Sequence, residues 1–142
     1  MEEFARHVYL DEDVIPLLQK LRESGYKIGI ISNFSIPEGA RGLIAIYNLE
    51  KLFDTIVISG EINRRKPSPE IFLKALNNLK VNASKTVFIG DTPDIDIEGA
   101  KAFGMKTILI KRKGIKVNAA ENKSDFTVES LREVLRVLGI ER

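Results

Sequence analysis

Val87-Phe88-Ile89-Gly90-Asp91-Thr92-Pro93-Asp94-Ile95-Asp96-Ile97-Glu98-Gly99 is the stretch on which the reading of this chain turns. Val87, Phe88 and Ile89 form an apolar run suited to a buried strand, and Gly90-Asp91 ends it. Pro93 suits the first position of the helix that follows, and Asp96 falls in that helix's first turn. A buried strand that delivers a carboxylate to its C-terminal tip, beside an incoming helix N-terminus, is how an open α/β sheet builds a ligand or metal site. Two upstream stretches belong with it. Ile30-Ile31-Ser32-Asn33 is an apolar run ending in a hydroxyl and an amide, and Arg65-Lys66-Pro67 is a basic loop ahead of another helix. Together they predict a site for a phosphate and a divalent cation.

The flanking pattern alternates helices with short apolar runs. Met1 to His7 has helical character. From Asp13 to Ser24 the apolar residues Val14, Leu17, Leu18 and Leu21 recur at helical spacing, with Gly25 as a stop. Lys27 to Ile31 reads as a buried strand, Pro37 to Tyr47 as a helix, and Thr55 to Ser59 as a strand. Ser68 is placed to cap a helix that starts at Pro69 and runs to about Leu79. Thr86 to Ile89 is a strand, Pro93 to Phe103 a helix closed by Gly104, and Thr107 to Ile110 a strand. Phe126-Thr127-Val128 is a brief strand and Ser130 to Leu138 the closing helix. Strands alternating with helices across short turns predict an α/β fold, a three-layer α/β/α Rossmann-like sandwich with a mostly parallel sheet.

The chain has 142 residues, with 30 % charged, 44 % hydrophobic and a net charge of +2. That length suits one domain with one core, spanning 1–142. The charge balance does not call for nucleic acid or membrane as a partner. No apolar run approaches the ~20 residues of a membrane span. The N-terminus lacks the basic-then-apolar layout of a leader, so a cytoplasmic location is expected. The absence of cysteine removes disulfides, thiolate metal sites and Cys nucleophiles from consideration. The basic run from Lys111 to Lys116 reads as a solvated loop.

In such a sheet the reactive groups gather beyond the carboxyl ends of neighbouring strands. Ser32 and Asn33 end one strand, Lys66 lies on a loop, Asp91 ends another strand, and Asp96 belongs to the helix behind it. A phosphoryl group needs donors, which a hydroxyl, main-chain N–H groups and an ammonium supply. A hard cation such as Mg²⁺ needs one or two carboxylates and keeps several waters. Taken singly, Ser32-Asn33 are turn residues, Lys66 an exposed base, and the two aspartates acids complementing a helix dipole. Their conjunction, in order on alternating elements, favours a site.

Ile30-Ile31-Ser32-Asn33, then Arg65-Lys66-Pro67-Ser68-Pro69-Glu70-Ile71-Phe72, then Gly90-Asp91 through Gly104-Met105 resemble the second, third and fourth motifs of the haloacid dehalogenase-like hydrolases. The resemblance runs from about Val14 to Val128. It implies a Mg²⁺-dependent phosphatase core without a cap domain, acting on a small phosphorylated metabolite. By the same resemblance Ser32, Lys66, Asp91 and Asp96 would be the catalytic set. Ser32, Asn33 and Lys66 would bind phosphate. Asp91 would hold Mg²⁺, with Asp96 a second acidic ligand or an orienting group behind the metal.

The family's first motif, an apolar strand followed by Asp-x-Asp-x-Thr or Val, has no clear counterpart. Its first Asp is the nucleophile and its second a general acid and base. Asp11-x-Asp13-x-Ile15 is a near match, but Asp13 suits an N-cap, Asp11 and Glu12 suit a helix dipole, and Pro16 suits a first turn. Those residues therefore read as a helix start, and 1–12 as a remnant of a cap or linker. In the family's sheet the first-motif strand lies between the strands ending at Ser32 and Asp91. Its loss leaves two edges to be satisfied, by Arg6 to Leu10, by another chain, or by closure of the two flanking strands. A homo-oligomer or a complementing N-terminal fragment is the partner this implies. The expectation is a phosphatase core weakly active or inactive alone. The alternative is a non-catalytic phosphate- and Mg²⁺-binding module or a subunit of a split phosphatase. A receiver-type domain is disfavoured, because there the phosphoacceptor Asp precedes the Ser or Thr.

Overall fold

A computed structural model describes residues 14–33, 42, 45, 50–111 and 123–140. The readings made for Met1 to His7, for Arg6 to Leu10, for Asp11 and Asp13, for most of Pro37 to Tyr47 and for most of Lys111 to Lys116 lie outside these residues. The described helices are α1 (Val14–Glu23), α2 (Ser59–Ile62), α3 (Pro69–Leu79), α4 (Glu98–Ala102) and α5 (Arg132–Val137). The strands are β1 (Gly29–Ser32), β2 (Thr55–Ile58), β3 (Val87–Gly90), β4 (Lys106–Ile110) and β5 (Phe126–Val128). Every strand pairing among them is parallel. The α/β sandwich expected from the alternating pattern is what the chain adopts.

Element boundaries shift for local reasons. β1 begins at Gly29, two residues later than Lys27, because its partner β2 begins at Thr55 and the register runs from Gly29↔Thr55 to Ser32↔Ile58. β2 stops at Ile58, since Ser59 opens the single-turn helix α2, which ends at Asn63 in the left-handed region. The expected strand runs to Ser59, one residue further. α3 starts at Pro69 as expected, but Ser68 gives no side-chain cap to it. Its hydroxyl turns instead to the Glu70 carboxylate.

The helix expected from Pro93 to Phe103 is two elements. Pro93–Ile97 forms a π-helical turn, and α4 follows. Asp96 N–H and Ile97 N–H both donate to the Thr92 carbonyl, at 2.8 and 3.4 Å. Such bulges widen a helix by one residue and cluster at functional sites. Here the widened turn carries Asp96 back against the end of β3. Gly104, at φ +96°, closes the segment as its position in the sequence foretold.

The described strands form two sheets rather than one. β1 pairs with β2, and β3–β4–β5 form the second sheet; β1 and β3 are not hydrogen-bonded to each other. Closure of the two flanking strands is therefore not the outcome. Both sheets nevertheless share one covering layer. On one face α3 contributes buried Ile71, Phe72, Ala75 and Leu76 to a cluster that takes in Val57 of β2, Ile31 of β1 and Phe88 of β3. On the other face α1 and α5 pack Leu17, Leu21, Val134 and Leu135 against Ile108, Ile110 and Val128, with Val87 and Ile89 of β3 beside them. Three layers result.

Burial follows the pairing. β4, flanked on both sides, is buried from Thr107 to Ile110, as a central parallel strand should be. β3, paired on one side only among the described strands, is half-buried along its whole length, and β1 is half-buried from Ile30 to Ser32.

Candidate functional site

Both sheets point their C-terminal ends at one cluster of polar groups. Ser32 closes β1, and Asn33 follows it. The Asn33 side-chain amide makes a two-way pair with the main chain of Lys66: Nδ2 donates to the Lys66 carbonyl at 3.2 Å, and Oδ1 accepts the Lys66 N–H at 2.9 Å. The loop between α2 and α3 is thereby fastened to the end of β1. The Lys66–Pro67 peptide in this loop is cis.

From that anchored backbone the Lys66 side chain crosses to the other sheet. Its ammonium donates to Asp96 Oδ1 at 2.7 Å and lies 5.8 Å from the centre of the Phe88 ring. The second oxygen of Asp96 is engaged as well. Oδ2 accepts the N–H of Asp91 at 3.1 Å and of Thr92 at 3.2 Å. Asp96, 4 % exposed, thus ties Lys66 to the chain segment leaving β3. Burying a carboxylate is costly unless it is paired and hydrogen-bonded, and this one is both.

Two glycines allow these approaches. A Cβ on Gly90 would stand 2.4 Å from Asp96 Cβ and 2.5 Å from its Oδ2, so only glycine lets the Asp96 carboxylate fold over the strand end. A Cβ on Gly99 would meet the Phe72 ring at 2.8 Å and Pro67 at 3.0 Å. α4 can therefore press against the loop that carries Lys66. Phe72 in turn sits edge-on to Phe88, with ring centres 5.3 Å apart, supporting the ring that the ammonium faces.

Asp91 follows Gly90 at the β3 tip, and its Oδ1 accepts the Thr92 hydroxyl at 3.0 Å. Among the described residues no cluster of three or more His, Cys, Asp or Glu side chains gathers as a cation cage. The donor set that is present, one strand-end carboxylate beside a second acid already paired to an ammonium, suits a hard cation that keeps most of its waters.

Of the residues singled out in the sequence, Asn33, Lys66, Asp96 and the Asp91 N–H are joined by hydrogen bonds, and Ser32 adjoins Asn33 in the chain. Sequence reasoning missed Phe88, Thr92 and the glycines at 90 and 99. Gly90-Asp91-Thr92 carried a local signal for Thr92. Phe88 carried none, since its position beneath Lys66 depends on two segments distant in sequence.

Residues 1–110 match the model of the haloacid dehalogenase-like hydrolases. The chain belongs to that family. It is 36 % identical over 129 residues to a glyceraldehyde 3-phosphate phosphatase of Methanopyrus kandleri, covering 89 % of this chain and 55 % of the relative. It is 33 % identical over 147 residues to a phosphoglycolate phosphatase of Aquifex aeolicus, covering 97 % and 67 %. The fold superposes on the crystal structure of a HAD phosphatase from Thermococcus onnurineus with a TM-score of 0.83 at 35 % identity, covering 92 % of this chain and 59 % of that one. This chain of the haloacid dehalogenase-like family therefore spans a little over half the length of several relatives. No helix among its described residues is long and apolar enough to cross a membrane.

Proposed function

We propose that this chain forms the phosphate-gripping core of a Mg²⁺-dependent phosphomonoester hydrolase. The observation that carries the reading is the Lys66–Asp96 pair, which joins the ends of β1 and β3 through Asn33 and the Asp91 N–H. In this reading Lys66 offsets the charge of a phosphoryl group, and the Ser32 hydroxyl donates to it. Asp91 would hold Mg²⁺, whose chemistry there is to neutralise charge on the bound anion. Asp96, with both oxygens engaged inside the protein, acts as the orienting group behind the metal.

The attacking carboxylate belongs on a strand between β1 and β3. Among the described residues each of those two strands is paired on one side only and is largely half-buried, which supports a place for it. Two open edges are costly to leave unpaired within a covered sheet. We assign that strand to a complementing N-terminal segment and expect residues 1–142 by themselves to turn over slowly or not at all. The substrate class is a small phosphorylated metabolite.

A second reading, a module that binds phosphate and Mg²⁺ without turnover, draws on the fact that the Lys66 network is complete within the described residues. Incubation of the pure protein with p-nitrophenyl phosphate and Mg²⁺, alongside calorimetric titration with inorganic phosphate, tests both. Phosphate binding with turnover near background is expected. Robust turnover abolished by Asp11→Asn would show instead that Asp11-x-Asp13 supplies the nucleophile. Absence of phosphate binding would remove both readings.

A further inference from the structure

We infer that Asn33 is a positioning residue: its side-chain amide fixes the main chain of Lys66, and through it the place of the ammonium. The inference deepens the proposed phosphate site and rests on it. A carboxamide presents a donor and an acceptor side by side, as a peptide group does. Asn33 uses both on one residue, taking the Lys66 N–H at 2.9 Å and giving to its carbonyl at 3.2 Å. This is the exchange two residues make across a sheet ladder, here made by a side chain at the end of β1 to a loop 33 positions away in sequence.

The consequence lies at the far end of the lysine. Its ammonium must reach Asp96 at 2.7 Å and stay near the Phe88 ring at 5.8 Å, and a flexible four-carbon stem holds such a place only when its root is held. Alanine at 33 removes both bonds, and serine or aspartate cannot reproduce both. The rival role for Asn33 is direct donation to the phosphate from its remaining amide hydrogen. The two roles differ in one measurable respect: a residue acting through Lys66 has nothing to contribute once Lys66 is gone.

The test is a double-mutant cycle read by calorimetric affinity for inorganic phosphate in the presence of Mg²⁺. Asn33→Ala is expected to weaken binding about tenfold, at the lower end of what loss of a supporting contact costs. In the Lys66→Met background the same change is expected to have no effect. An equal loss in both backgrounds would assign Asn33 to direct phosphate contact and overturn the inference. If the unaltered protein binds no phosphate, the proposed function fails by itself, and amide hydrogen exchange then decides the clamp. The Lys66 N–H is expected to exchange faster in Asn33→Ala and to remain protected in Asn33→Asp, which keeps an acceptor at that place. Unchanged exchange in Asn33→Ala would overturn it.

Discussion

The Lys66 ammonium and Asp96 Oδ1 meet at 2.7 Å with side chains only 14 % and 6 % exposed, and this contact joins two sheets that share no ladder. Removing one partner of a buried pair leaves the other charge uncompensated, at about 3–5 kcal/mol. Asp96→Ala is therefore expected to lose that much stability in urea denaturation. It should also free the N–H groups of Asp91 and Thr92, seen as faster amide exchange at both positions.

Gly90→Ala tests the closeness of the same carboxylate to the strand. The new methyl would occupy the space of Asp96 Cβ and Oδ2. Overpacking of this kind costs about 1–3 kcal/mol, read as a lowered urea midpoint. Phosphate affinity should fall with it, since Lys66 loses its partner's place. A fully native affinity would show that the Asp96 geometry is not needed for binding.

Asp91→Ala addresses the metal assignment. Calorimetric titration with Mg²⁺ is expected to show binding to the unaltered protein and none to the variant. Full retention of affinity would remove Asp91 as the ligand.

Asp125 gives the fold an acid-sensitive joint away from the site. Its Oδ2 accepts the Thr107 N–H at 2.8 Å and the Thr107 hydroxyl at 3.0 Å, and Oδ1 pairs with Lys101 at 3.1 Å. The main-chain N–H of Thr107, first, and then the Lys101 ammonium hold this carboxyl below its ordinary value of 3.8. A depressed folded pKa stabilises the protein above the unfolded value, and the benefit is lost as pH falls through the folded one. The stability gap between the unaltered protein and Asp125→Asn should thus be constant near neutrality and shrink below about pH 3.8, measured by urea midpoints across pH.

Much of this architecture is legible in the sequence. The periodic Leu17, Leu18 and Leu21 announced α1, the Ser68-Pro69 start announced α3, and Gly104 marked the end of the segment after β3, because local pattern and backbone preference decide such features. The π-helical turn was not legible, since Pro93 to Phe103 has ordinary helical composition and the extra residue is accommodated by the Thr92 carbonyl and by Asp96 folding onto β3. Ser68 misled as a cap because Glu70 competes for its hydroxyl.

Local sequence settles the family, the order of parallel strands and helices, and which polar side chains end the strands, because each depends on residues close together in the chain. Tertiary structure alone decided that Asn33 holds the Lys66 backbone, that Lys66 reaches Asp96 over Phe88, and that β1 and β3 do not pair with each other. Those relations join segments about 30 or more residues apart. They exist only where a shared apolar layer packs on both sheets and brings their carboxyl ends to one mouth.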